Sequence, residues 1–120
     1  MRKGINQWAF GAKKLKDVFP LAKQAGYDGV EVVIDEKDGE INLKSSRKDI
    51  EKIVSEAQNA GVEISSLATG LFWTYSLTSD DARVRIQARD IVRKMIAIAS
   101  WLNVDTILVV PGAVDVSTSR

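Results

Sequence analysis

Hydrophobic positions along the chain fall into two alternating rhythms. Leu15, Val18, Phe19, Ala22 and Ala25 recur with a 3.6-residue period, and so do Ile50, Ile53, Val54, Ala57 and Ala60. A third and longer stripe comprises Val84, Ala88, Ile91, Val92, Met95, Ile98, Ala99 and Leu102. Between these helical stretches lie short β-rich runs, Lys3–Ala9, Gly29–Ile34, Glu63–Ala68 and Asp105–Val110, which the pattern predicts as strands. Pro20 sits early in the first helical stripe, where it must occupy the first turn or distort the helix. Ser46-Arg47-Lys48-Asp49 reads as a capping-box variant ahead of the second helix, and Asp80-Asp81 suits the N-terminus of the third.

Three passages repeat this helix-to-strand transition. They are AKQAGYDGVEVVI from Ala22, AQNAGVEISSLAT from Ala57 and ASWLNVDTILVVPG from Ala99, 35 and then 42 residues apart. Each passes through Gly26, Gly61 or Asn103, residue types that tolerate the positive φ of a helix terminus. The spacing is that of one strand-plus-helix unit. The order β-α-β-α-β-α-β predicts an α/β fold of parallel (βα) units with right-handed crossovers, and no linker divides residues 1–120, which read as a single unit.

Composition narrows the chemistry. Among 120 residues there is no Cys and no His, which excludes a disulfide framework, a thiol nucleophile and a Ser-His-Asp triad. The lack of Cys suits a reducing, cytoplasmic setting. A net charge of +1 gives no electrostatic case for nucleic acid or acidic lipid. The start MRKGINQWAF has no apolar segment of a signal peptide, and no apolar stretch approaches the roughly 20 residues that span a bilayer. Arg85, Arg89 and Arg93, with Asp81 and Asp90, read as a solvated, ion-paired helix face.

In parallel α/β folds the chemistry gathers where strands end and lead into helices. Here those places are Gln7-Trp8-Ala9-Phe10, Asp35-Glu36, Thr69-Gly70-Leu71-Phe72-Trp73 and Pro111-Gly112. Glu31 is a carboxylate inside GVEVVI. If strand alternation turns it inward, it needs a polar partner or water there, whereas on the other face it would be a solvent-facing edge residue. Glu63, at a strand start, reads as structural. Trp8, Phe72, Trp73 and Tyr75 cluster at strand ends, where they either close the core or form an aromatic wall of the kind that packs on sugar rings. Gly70 and Gly112 are lone glycines without a phosphate-loop motif.

The passages KGINQW, LAKQAGYDGVEV, NAGVEISSLATGLFWTYSLTSDDARVR and IASWLNVDTILVVPG together resemble the sugar isomerase/epimerase group of xylose-isomerase-like TIM barrels. The resemblance implies the first four strands of a (β/α)8 barrel, a half-barrel of a metal-dependent sugar or sugar-phosphate isomerase or epimerase. It implies a substrate-pocket wall made by Asn6, Trp8, Glu31, Ala68, Gly70, Trp73 and Pro111. A Mn²⁺- or Mg²⁺-type ion and the acid/base carboxylates would come from later strands, so this chain would hold neither metal ligands nor catalytic residues and would be inactive alone. Asn6 stands where free-ketose epimerases often carry an aromatic. The family's endonuclease branch uses zinc-binding His in this half, and this chain has no His. The alternative is a non-catalytic half-barrel serving as an assembly module. On either reading, open strand edges and an inner face lined by Ile5, Val33, Leu67 and Val109 imply a homo-oligomer or association with a missing C-terminal half.

Overall fold

A computed structural model of the chain describes residues 1–113, so the tail at 114–120 lies outside the described residues. Strand β1 spans Gly4–Asn6, helix α1 Leu15–Gln24, β2 Gly29–Ile34, α2 Arg47–Ala60, β3 Glu63–Thr69 and α3 Ala82–Leu102. The strands pair in parallel in the order β1-β2-β3. Residues 106–108 continue that order on the far side of β3. The Leu67 amide donates to the Thr106 carbonyl at 3.2 Å, and the Leu108 amide donates to the Leu67 carbonyl at 2.9 Å.

The helices begin and end where the sequence places their signals. Ser46 caps α2 by accepting the Asp49 amide, while the Asp49 carboxylate accepts the Ser46 amide in return. Asp81 caps α3 through the Arg83 amide at 2.8 Å. Gly26, Gly61 and Asn103 adopt φ of 86°, 72° and 58°, the left-handed conformation that closes a helix C-terminus. Pro20 lies in the second turn of α1, beyond the first turn to which the sequence limits an undistorted helix. The helix runs through it because Leu15, Val18, Phe19 and Ala22 are all fully buried, and that packing outweighs one missing backbone bond.

Two strands are shorter than their sequence patterns. The first ends at Asn6 because the Asn6 side chain accepts the Trp8 amide and starts a 3-10 turn over Gln7–Phe10. The expected strand Asp105–Val110 makes only an isolated bridge, Leu67 to Ile107, with two backbone hydrogen bonds to Leu67.

One face of the sheet meets the helices. Val30, Val32, Ile34 and Leu67 join Phe19, Ile50, Ile91, Met95 and Ile98 in one buried cluster. The other face follows a different register. Gly4 pairs with Gly29, Asn6 with Glu31, Glu31 with Ser66, and Val33 with Ala68. A bulge interrupts the β2–β3 ladder after Val30, and Ser65 is the unpaired extra residue. A Cβ placed on Gly29 would lie 3.1 Å from the Ser65 Cβ, and Ser66 hydrogen-bonds Glu31, so both serines point to the inner face.

That bulge corrects the expected inner lining. Past it, Leu67 pairs with Val32 and turns toward the helices. Ile5 pairs with Val30 and packs partly buried against the same cluster, as does Val109. Of the four residues assigned to the inner face, only Val33 shares a side with Glu31.

Candidate functional site

The inner face rises in layers from the N-terminal to the C-terminal ends of the strands. Gly4, Gly29 and Ser65 form the lowest, and small side chains leave space there. An open cavity of about 1000 Å³ runs past this layer, lined by Gly4, Gly29, Glu63, Ser65, Ile96 and Asp105 among others. It lies at the strand starts, the end opposite the loops that carry chemistry in parallel α/β sheets. Glu63 pairs there with Arg2 in a solvent-exposed ion pair.

Above it is a polar layer. Glu31 is half-buried and both of its carboxylate oxygens accept hydrogen bonds. Asn6 Nδ2 donates to Oε1 at 2.7 Å, and Ser66 Oγ donates to Oε2 at 2.7 Å. Glu31 thus faces inward with partners on both neighbouring strands, as the cost of burying a bare carboxylate requires. Asn6 Oδ1 faces the other way and accepts the Trp8 amide at 2.7 Å. Gln7 ties the same turn to β2, its Oε1 accepting the Val33 amide at 2.9 Å. Val33 and Ala68 make the next, apolar layer.

At the C-terminal ends the connections converge on the segment after β3. A Cβ on Gly70 would sit 3.8 Å from Trp8 Cζ2, so the indole lies against the Gly70 backbone. Tyr75 donates its hydroxyl to Glu36 at 2.7 Å, and this bond to a carboxylate, with burial, pushes the phenol above its ordinary range. Ser76 Oγ donates to the Pro111 carbonyl at 3.3 Å. Gly112 approaches Thr78 so closely that no side chain fits between them. The segment Gly70–Thr78 therefore touches each of the other three loops singled out by the sequence.

The aromatic cluster divides. Phe72 is 3% exposed and belongs to the core, whereas Trp8 is 54% and Trp73 71% exposed at strand ends. Trp8, Gly70, Asn6 and Glu31 are brought together by direct contact or hydrogen bonds. Ala68 is buried beside Val33, and Pro111 is exposed at the rim. Ser66 and Gln7 escaped sequence reasoning. The signal for Ser66 is the doubled Ser65-Ser66 within a strand, a place where two adjacent polar residues on one face require a bulge. Two arginines of the α3 row are tied locally, with Arg93 Nη1 2.6 Å from Asp90 and Arg85 donating to the carbonyls of Ser79 and Asp80, while Asp81 pairs with Arg83 and not with the row. Among the described residues no helix is long and apolar enough to cross a membrane.

Comparison with known proteins places this geometry. An L-ribulose-5-phosphate 3-epimerase of Salmonella heidelberg (strain SL476) is 34% identical over 88 residues, 72% of this chain and 31% of the relative. The chain thus spans about a third of the curated relatives it matches. A crystal structure of D-psicose 3-epimerase in the presence of D-fructose superimposes with a TM-score of 0.71 at 19% identity, covering 98% of this chain and 43% of that one. The 3-keto-D-glucoside 4-epimerase of E. coli follows at 0.67 and 17%, covering 91% and 37%. Residues 19–120 match the family model described as xylose isomerase-like TIM barrel. With its parallel βα order and its match over most of its length, the chain belongs to the xylose isomerase-like TIM barrel family.

Proposed function

We propose that this chain forms the N-terminal part of a sugar or sugar-phosphate isomerase or epimerase and supplies one wall of its substrate pocket. The observation that carries this reading is the exposed indole of Trp8 resting on Gly70, above the inward-facing Asn6–Glu31–Ser66 layer. An aromatic face of this kind packs on the C–H surface of a sugar while nearby polar groups meet its hydroxyls. Trp73 extends the wall, Ala68 lies beneath it and Pro111 stands at its rim. The curated relatives, named as L-ribulose-5-phosphate 3-epimerases, favour a ketose phosphate as substrate.

The reaction class is movement of a proton at a carbon next to a carbonyl, which requires an acid and a base on the substrate. Enzymes of this class can use a Mn²⁺- or Mg²⁺-type ion to polarise the substrate oxygens. Among the described residues no three acidic side chains converge as a metal cluster, and each Glu31 oxygen already holds a protein donor. These residues do not fit the ion. Their part is to bind and orient the sugar. Among the described residues β1 and residues 106–108 pair on one side only, which supports pairing with further strands, from the rest of a barrel or from a second copy.

The test uses the intact parent protein in D2O with ketoses and ketose phosphates. Deuterium entering at the carbon beside the carbonyl, followed by NMR, is the expected result. Absence of exchange with every ketose and ketose phosphate offered would overturn the reading.

A further inference from the structure

We propose that Glu31 is a positioning residue which, acting through Asn6, fixes the turn that presents Trp8 to the sugar. This inference rests on the pocket-wall reading for its functional consequence, though not for its geometry.

The polarity of the hydrogen-bond chain permits one arrangement. The Trp8 backbone amide can only donate, so the Asn6 atom facing it is the carbonyl oxygen, at 2.7 Å. The Asn6 NH2 group must then point toward β2, where it needs an acceptor, and Glu31 Oε1 provides one at 2.7 Å. Glu31 is held in turn by Ser66 Oγ on its other oxygen, at 2.7 Å. The β3 bulge is what allows this last contact, because it keeps Ser66 on the inner face alongside Ser65. A continuous line of donors and acceptors therefore runs from β3 through β2 to the 3-10 turn, Ser66 to Glu31 to Asn6 to Trp8.

The turn has few other ties. Its helix spans only Gln7–Phe10 and has no fully buried residue; Gln7, accepting the Val33 amide, is a second tie to the sheet, and Phe10 packs partly buried against the core at the far end of the turn. The Trp8 indole is itself more than half exposed. Its direction is set by its backbone and by the Gly70 surface it lies against, and its backbone amide is held by Asn6. Loss of the Glu31 acceptor would free the Asn6 amide to rotate and release the Trp8 amide.

A positioning role and a direct chemical role make opposite demands at residue 31. Glu31→Gln keeps a carbonyl that accepts from Asn6, and its new NH2 can donate to the Ser66 hydroxyl, which accepts as well as donates. It removes the charge and the ability to exchange a proton. Glu31→Ala removes the line altogether.

The experiment measures amide hydrogen exchange at Trp8, together with KM and kcat, in the intact parent protein. Exchange at Trp8 is expected to rise about tenfold or more in Asn6→Ala and Glu31→Ala and to stay near wild type in Glu31→Gln. Ser66→Ala, which leaves Asn6 and Glu31 in place, gives a milder rise and keeps the test valid should Glu31→Ala fail to fold. KM should rise in the Ala variants with kcat little changed, and Glu31→Gln should restore it. Unchanged Trp8 exchange in Asn6→Ala and Ser66→Ala would overturn the proposal. So would a Glu31→Gln variant with normal Trp8 exchange but lost kcat, because Glu31 would then act on the reacting atoms. The exchange measurement needs no substrate. A normal exchange pattern with Trp8→Ala leaving KM untouched would sink the sugar-wall reading alone.

Discussion

Val32 and Val33 are consecutive residues of β2 and both are buried, yet they belong to different parts of the molecule. Val32 packs with Leu67 into the cluster beneath the helices, while Val33 stands beside Ala68 on the face that carries Glu31. The helix-side face is apolar apart from Thr69, whose buried hydroxyl donates to the Ile34 carbonyl, and Val30, Val32, Ile34 and Leu67 are shielded from solvent. The inner face changes character from layer to layer, from glycine and serine to a bonded carboxylate, then to Val and Ala, then to an exposed indole. Burial of each large apolar side chain on the helix side contributes about 1.5–3 kcal/mol, with no directional requirement. The inner face contributes through hydrogen bonds whose value depends on every donor meeting its acceptor. One face makes the fold stable and the other gives it a shape that chemistry can use.

The comparison is most easily broken from the helix side. Phe19→Ala removes a fully buried ring from α1 and should destabilise the protein by about 3–5 kcal/mol, seen in urea unfolding. Trp8 amide exchange under conditions where the variant is still folded should not change. A local loosening at Trp8 would show that the two faces are coupled through the sheet.

On the inner face the expected cost is smaller and depends on the replacement. Glu31→Ala strands the Asn6 amide and the Ser66 hydroxyl in a partly buried layer, for a loss of about 1–3 kcal/mol in the same unfolding measurement. Glu31→Gln should lie well below that. Equal losses for the two would mean that charge, and not hydrogen-bond matching, is what the layer requires.

Trp8→Ala sharpens the contrast from the other direction. With the ring more than half exposed, stability should barely move. Affinity of the intact parent for its sugar should fall about tenfold, the equivalent of some 1.4 kcal/mol, in a binding titration. A large loss of stability without loss of affinity would assign Trp8 to the core.

The sequence carries the helices themselves almost completely, but not which strand residues face them. Its periodic stripes, the Ser46–Asp49 box and the residues at positions 26, 61 and 103 are local signals, read within a few residues of where they act. The inner face was legible only in part. A carboxylate within GVEVVI announces that it needs partners, but those partners lie 25 and 35 residues away, and their identity depends on strand register. Strict alternation through Ser65 sends Leu67 inward, whereas the bulge restores it to the helices. The short first strand has the same kind of cause. Lys3–Ala9 is a plausible strand by composition, and a single Asn6 side chain bonding to Trp8 ends it.

The smallest effect concerns the start of α2, on the helix side but at its solvent-exposed end. The Asp49 carboxyl is held below its usual range, chiefly by the Ser46 backbone amide and then by the Ser46 hydroxyl. A carboxylate whose folded value is depressed adds stability above its unfolded value, near 3.8, and that stability fades as pH falls through the lower folded value. Ser46→Ala removes the hydroxyl that caps the helix and should cost about 1 kcal/mol at neutral pH. At a pH low enough to protonate Asp49 in the folded protein, the part of this difference that comes from the hydroxyl's bond to the carboxylate disappears. The part that comes from capping the Asp49 amide remains, because that bond has no titrating partner. Urea unfolding of wild type and Ser46→Ala across this range should therefore show a gap that narrows in acid without closing. A gap that stays constant would mean the carboxylate gains nothing from the serine hydroxyl. One that widens in acid would reverse the sign assigned to Asp49. Neither outcome should alter Trp8 exchange, since α2 caps the layer that lies behind the sheet from the indole.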